Sequence, residues 1–460
     1  MKLDNFSIVI FGAAGDLTAR KLMPALHELA ERKKLPKEFR IIGFGRSDFD
    51  HQSFRKHFKE FKNLKDKLFF IQGSYSEKTD FDKLRDFIEK EGHEKGICAN
   101  LLFYLATPPT LASDIINNLH LSGLSGKATK CQGWHKIIIE KPFGTDLKTA
   151  KKLNQILDKA FYENQIFRID HYLAKETVQN ILAFRFANGL FDRIWNKEFI
   201  DHIHINITED FGIRHRGSYY EKAGLIRDIV QNHGLQLLAL IAMENPKECL
   251  GDCVRDAKIR VFKDIKKVKA DEIVIGQYQG YKKEKNVNPS SDVETFAAIK
   301  FRINNRRWKK VPFYLVAGKN LKERKTEIII QFRPPARNLT GFDKEDLCAN
   351  ELIIQIQPDE TIDLKFGVKK PGAKNIIEPK ELKFDYKTSF RIETLTAYHQ
   401  LLVDVVQGDQ TRYVRKDGVE AQWKIIDSIK KIIKNRKPVV YKINSTGPKE
   451  AVELLGEEIF

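Results

Sequence analysis

Two hydrophobic periods alternate along the first third of the chain. Phe6–Phe11 is an unbroken β-branched and aromatic run ending at Gly12, the pattern of a strand buried on both faces. From Leu17 to Arg32 the apolar positions Leu22, Leu26 and Leu29 recur at helical spacing. Short apolar runs at Phe39–Gly45, Leu101–Ala106 and Lys136–Ile139 follow, separated by helical stretches. This alternation predicts an N-terminal Rossmann-type domain, a doubly wound parallel sheet with helices on both faces.

Past residue 200 the period changes. Ile200 to Thr208 alternates, with Ile203, Ile205 and Ile207 on one face and His202, His204 and Asn206 on the other. Ile273–Tyr278, Thr295–Ile303, Thr326–Phe332 and Leu352–Ile356 also read as strands. Gly224–Met243, Thr394–Gln407 and Glu420–Lys431 read as helices. Strand runs closed by helices predict a larger α+β domain around a mostly antiparallel sheet. A chain of 460 residues is long for one core. No Pro/Gly/Ser linker divides it, so the change of pattern sets the boundary: residues 1–173 for nucleotide binding and 174–460 for the second domain.

Composition narrows the class. Hydrophobic residues make up 42% and charged residues 31%, as in a globular protein. The longest apolar run, Leu235 to Met243, is far short of a bilayer span. Phe6–Phe11 is too short for a secretory signal and reads as a first strand, so the expected location is the cytoplasm. Five scattered cysteines predict reduced, buried side chains and no disulfide framework. The formal charge of +18 raises nucleic-acid binding, but Lys263–Lys267 and Lys282–Lys285 are interleaved with acids and lack aromatic partners. They read as solvated faces.

Four stretches carry candidate chemistry. Gly12-Ala13-Ala14-Gly15-Asp16-Leu17 lies between a strand and a helix, where pyrophosphate meets a helix N-terminus and a Cβ would block the backbone amides. Gly45-Arg46-Ser47 ends the second strand with a guanidinium, which favours the 2′-phosphate of NADP+ over the free ribose of NAD+. Arg168–Glu176 packs Asp170, His171, Tyr172 and Lys175 together. A helix from Tyr172 onward would put His171 and Lys175 one turn apart as a phosphate clamp. Asp228-Ile229-Val230-Gln231-Asn232-His233 sits within an apolar helix, where buried polar groups need partners. His202 and His204 share a strand face but lack a third ligand, so no metal is expected.

Arg168–Glu176 closely resembles the Arg-Ile-Asp-His-Tyr-Leu-Gly-Lys-Glu signature of glucose-6-phosphate dehydrogenases, with Ala174 in place of the glycine. The resemblance covers nearly the whole chain. It includes Gly12–Leu17, Glu140–Gly144, Phe211–Gly217, Arg227–His233, Val311–Leu315, Gly318-Lys319, Gln357–Glu360 and Gly408–Thr411. It implies an NADP-dependent oxidation of glucose 6-phosphate at C1, the first step of the oxidative pentose phosphate pathway. By the same resemblance His233 is the general base and Asp170 its partner, which suits loss of a hydroxyl proton as hydride leaves carbon. His171, Tyr172 and Lys175 would bind the phosphate. Glu209 and Asp228 would hold sugar hydroxyls, and Lys319 and Arg324 would add positive charge. Lys141, before a proline typically cis, would lie between sugar and coenzyme. Lys21 and Arg46 would lie near the coenzyme, with Gly12, Ala13, Ala14, Gly15, Asp16 and Leu17 forming its turn.

The resemblance also implies a homodimer or homotetramer built through the second domain, with no nucleic-acid or membrane partner. Ala14 stands where relatives often carry Ser or Thr, and Val316 replaces a usual arginine. Two other readings are another nicotinamide-dependent sugar oxidoreductase with a Glu-Lys-Pro strand end, and a catalytically silent NADP-sensing or nucleic-acid-binding protein. Silent relatives usually lose the base or its carboxylate, and here both are present.

Overall fold

A computed structural model describes residues 3–93, 100–129, 133–246, 251–335, 348–372, 376–390 and 397–456. The chain divides into two compact units. The first is Met1–Ala174 together with Glu248–Arg255 and Leu395–Glu420; the second is Lys175–Lys247, Asp256–Thr394 and Ala421–Phe460.

The first unit is built on Phe6–Phe11 (β1), Phe39–Gly45 (β2), Leu68–Gln72 (β3), Leu101–Leu105 (β4), His135–Ile139 (β5), Ile166–Ile169 (β6) and the short Tyr413–Val414 (β15). Their order is β15-β6-β5-β4-β1-β2-β3. The first six are parallel, and β15 joins β6 antiparallel. Every residue of β1, β2, β4, β5 and β6 is buried, and for β1, β2, β4 and the Ile137–Ile139 end of β5 this is why the sequence shows largely apolar runs. This is the expected Rossmann-type sheet. The strands β3 and β6, absent from the periodicity reading, complete its two wings.

The second unit holds Ile200–Thr208 (β7), Ile273–Tyr278 (β8), Phe296–Arg302 (β9), Pro312–Gly318 (β10), Lys325–Phe332 (β11), Glu351–Gln357 (β12), Thr361–Lys369 (β13), Ile377–Asp385 (β14) and Val439–Tyr441 (β16). They form one sheet in the order β14-β13-β12-β11-β7-β10-β9-β8-β16. Only β7–β10 and β8–β16 are parallel pairs, so the sheet is mostly antiparallel, as expected.

The helical stretch expected at Gly224–Met243 is composite. Gly224 has φ +66°, and a Cβ on it would lie 2.6 Å from Glu294 Oε1. The kink restarts the helix, and Glu294 accepts from the new end: Leu225 N donates to its backbone oxygen (3.0 Å) and Ile226 N to Oε1 (3.3 Å). Ile226–Gly234 then winds as a π-helix before Leu235–Ala242 returns to α. At the far end three buried side chains cap four consecutive carbonyls. Arg185 Nη1 and Nη2 donate to Leu240 O (2.6 Å) and Met243 O (2.8 Å). Trp195 Nε1 donates to Ile241 O (2.9 Å) and Trp308 Nε1 to Ala242 O (2.7 Å). The orphan carbonyls of a buried helix end are thereby satisfied.

Two expectations need correction or limits. Cys253 is disulfide-bonded and Cys348 is exposed, so the reading of the cysteines as reduced and buried fails. An odd, scattered count does not forbid a single bridge. Cys249 and the start of the Thr394–Gln407 helix lie outside the described residues; the helix runs over Ala397–Gln407. Among the described residues, no helix is long and apolar enough to cross a membrane.

Arg185 is wholly buried, and burial pulls its pKa down to about 9, so it stays charged at neutral pH. Arg185→Met keeps the volume but leaves two carbonyls unpaired. It is expected to lower unfolding free energy by about 3 kcal/mol, measured by urea denaturation.

Candidate active site

The chain leaves β1 through Gly12, whose φ is +87° and on which a Cβ would lie 2.7 Å from Ala106 O. Only glycine meets both conditions. Gly15 N donates to Gly12 O (2.9 Å) and Ala19 N to Gly15 O (3.1 Å), while Thr18 Oγ1 also donates to Gly12 O (3.1 Å). Helix thus begins at Asp16, immediately after the turn. Ala13 is buried, Ala14 and Lys21 are exposed, and Leu17 packs on the core. Asp16 faces solvent in a 2.6 Å pair with Arg20.

Arg46, exposed, follows β2, whose Phe44 is in register with Phe11 of β1. The glycine turn and Arg46 therefore share one sheet edge. Tyr75, which carries no sequence signal, sits under that edge and donates to Phe44 O (3.4 Å). Bare backbone at Gly12 and Gly15, a helix start beyond them and a guanidinium alongside fit a dinucleotide with a phosphorylated ribose.

The same edge carries Lys141 and Asp170, at the ends of β5 and β6. Lys141-Pro142 is cis, as the resemblance implies. Asp170 is buried, and its Oδ1 accepts from Tyr172 N (3.1 Å). Leu173 N donates to Asp170 O (3.0 Å). These bonds close a 3₁₀ turn, His171–Ala174, in which Tyr172 is buried and His171 half-buried. Helix does not start at Tyr172. It starts at Glu176, with Lys175 extended as N-cap (φ −73°, ψ 138°), so the expected one-turn helical spacing of His171 and Lys175 is absent. Asp170 claims the Tyr172 amide and so ends the α option locally.

In the second unit Lys175 Nζ donates to Gln357 Oε1 (2.7 Å), and Gln357 Nε2 donates to Thr326 Oγ1 (2.9 Å). Burial lowers the Lys175 pKa to about 8; Glu360 opposes the shift and Arg324 adds to it. Glu209 and Lys319 follow the parallel neighbours β7 and β10 and form an ion pair, with Lys319 wholly buried. Phe211 gathers three cations over its ring: Arg214 (4.2 Å), Lys319 (5.7 Å) and Arg324 (5.7 Å to the centroid). Val316 is buried on β10.

Asp228 and His233 are buried on the π-helical turn. Its i→i+5 winding brings residues five apart toward one side, which an α-helix would not do. Asp228 Oδ1 accepts from Tyr219 OH (3.2 Å), and burial with the Asp228 charge pushes the Tyr219 phenol pKa up. The His233 amide donates to Asn232 Oδ1 (2.7 Å), and Asn232 Nδ2 donates to Asp228 O (3.1 Å). Behind the turn runs a buried polar chain. Lys258 Nζ donates to Gln236 Oε1 (3.0 Å), Gln236 Nε2 to Gln422 Oε1 (3.0 Å) and Gln422 Nε2 to Gln231 O (2.7 Å). Elsewhere on the sheet, burial and the nearby His202 lower the His204 pKa to about 3, and its ring stacks on Tyr314 (4.8 Å).

Two family models match the chain nearly end to end. Residues 9–180 match the family model of the glucose-6-phosphate dehydrogenase NAD binding domain, and residues 182–459 match that of its C-terminal domain. A glucose-6-phosphate 1-dehydrogenase of Chlamydia muridarum is 40% identical, covering 98% of this chain and 95% of its own. One from Borreliella burgdorferi is 39% identical, covering 100% and 98%. A solved glucose-6-phosphate dehydrogenase in complex with its substrate glucose-6-phosphate superposes with TM-score 0.92 at 35% identity, over 99% of this chain and 98% of that one. The Mycobacterium avium enzyme gives 0.86 at 29% identity over 99% of each. With both family models matched and relatives aligned end to end, the chain belongs to the glucose-6-phosphate dehydrogenase family.

Proposed function

We propose that the protein oxidises C1 of glucose 6-phosphate to 6-phosphoglucono-1,5-lactone with NADP+ as hydride acceptor. One observation carries the reading: a single parallel-sheet edge bears the Gly12–Gly15 turn, Arg46, Lys141 and buried Asp170. In this reading the turn holds the pyrophosphate and Arg46 the 2′-phosphate. The bound nicotinamide supplies the acceptor for the hydride.

His233 takes the proton of the C1 hydroxyl as the C1–H bond breaks, so the C1–O bond becomes the lactone carbonyl. Asp170 accepts the imidazole N–H, fixing the tautomer and stabilising the imidazolium. Its rigid placement by the Tyr172 amide supports that role. His171, Tyr172 and Lys175 hold the phosphate. Glu209 and Asp228 accept from sugar hydroxyls, with Lys319 and Arg324 supplying positive charge and Lys141 standing between sugar and coenzyme.

Replacing the base tests the reading. NADPH formation from glucose 6-phosphate by His233→Asn is expected to fall by roughly 10²–10⁴-fold, and near wild-type turnover would refute the assignment. Coenzyme choice is tested with Arg46→Ala, which should raise KM for NADP+ by about tenfold or more and leave KM for NAD+ within about twofold. Lys175 gives a pH signature. It is charged below its pKa of about 8 and loses its proton as pH rises through it, so kcat/KM for the sugar phosphate should fall above pH 8. Lys175→Arg, charged throughout, should lower kcat/KM overall but abolish that alkaline limb.

A further inference from the structure

Glu140, the first residue of the Glu-Lys-Pro strand end, has no part in the mechanism above, yet it is tightly held. Tyr104 OH, from β4, donates to its Oε1 at 2.5 Å. Tyr398 OH, from helix Ala397–Gln407, donates to the same oxygen at 3.4 Å. Two phenols from two elements converge on one carboxylate oxygen, an arrangement that favours the ionised form. Burial outweighs them and holds the Glu140 pKa above the ordinary glutamate value; the two phenols and Lys141 pull it down, and Asp170 pushes it up. Tyr413, on β15, also feels its charge. Burial first, and then the Glu140 charge, push the Tyr104 and Tyr398 phenols up, so both remain donors across the neutral range.

We propose that Glu140 is a positioning residue of the dehydrogenase reaction: clasped by Tyr104 and Tyr398, its carboxylate sets the electrostatic environment of Asp170 and Lys141 and, through Asp170, the basicity of the catalytic imidazole. A negative charge behind Asp170 makes protonation of the Asp170–His233 pair easier, so the pair carries its proton at a higher pH than it would alone. Lys141 opposes this charge, and Tyr104, Tyr398 and Tyr413 contribute dipoles but no charge. The inference rests on the assignment of His233 and Asp170 as base and partner.

The test is the pH profile of kcat with saturating glucose 6-phosphate and NADP+. Glu140→Gln keeps the shape and a hydrogen-bonding oxygen but removes the charge. Its acid limb is expected to move to lower pH by about half to one unit. Tyr398→Phe, which removes one donor and leaves β5 unchanged, is expected to move the limb the same way by less, because Glu140 then takes up its proton at higher pH. A limb unmoved in both variants overturns the proposal. A loss of activity at every pH with the limb unmoved also overturns it, since that is a purely structural effect. If Glu140→Gln does not fold, Tyr398→Phe decides alone. Should His233→Asn retain turnover, the assignment of the base has failed; a dead His233→Asn with an unmoved limb in Glu140→Gln sinks only this inference.

Discussion

The backbone of Gly12 passes so close to Ala106 O that no side chain fits between them, and this contact fixes the geometry of the first unit's working edge. β1 lies between β4 and β2, where successive connections run in opposite directions across the sheet. At such a switch point the loops diverge and leave a crevice beyond the strand ends. The left-handed turn at Gly12 brings bare amides to that crevice. Register does the rest: β2 delivers Arg46, β5 delivers Lys141 and β6 delivers Asp170, each at the carboxyl end of a fully buried strand. Chemistry placed on strand ends is held by the whole core rather than by a loop.

The second unit solves a different problem, that of keeping charges inside protein. Taking Lys319 wholly out of water costs several kcal/mol. Glu209 and the faces of Phe211 and Tyr220 offset this. The π-helical turn is a second such solution. It strands backbone groups that an α-helix would pair, and Gln422 supplies a donor to Gln231 O from the far side. That arrangement only holds if both helix ends are satisfied, as Glu294 and the Arg185, Trp195 and Trp308 trio ensure.

The sequence announces what burial and turn chemistry dictate and hides what depends on tertiary partners. β1, β2, β4 and β5 are legible because parallel strands covered on both faces read as apolar runs. β6 is concealed by Arg168, buried inside it and paired with Glu163 at 2.6 Å. β13 and β14 are mostly exposed in their outer halves and carry no clean alternation. The motif residues are legible only through the resemblance to the family signature. Tyr104, Tyr398, Tyr75 and Tyr219 are not, since a tyrosine's partner is chosen by the fold and leaves no local spacing. The π winding is equally silent, as it differs from α by one residue per hydrogen bond. The helix expected from Tyr172 fails for a local reason, the Asp170 side chain competing for the Tyr172 amide.

The return of Leu395–Glu420 to the first unit has a physical rationale in β5. Lys136, at the start of that strand, donates to Val405 O (2.7 Å) and Val406 O (3.0 Å), the last carbonyls of helix Ala397–Gln407. Glu140, just past the strand's end, meets Tyr398 at the helix's beginning. The helix therefore runs antiparallel to β5 and is tied at both ends. A cation sits at its negative pole and a carboxylate at its positive pole, the arrangement its dipole favours. Burial lowers the Lys136 pKa to about 8, and the faces of Trp134 (4.2 Å) and Phe167 (5.9 Å) shelter the ammonium. The strand that presents Lys141 is thus braced by a segment more than 250 residues later in sequence. That long-range tie gives a five-residue strand the stiffness that a positioned lysine requires.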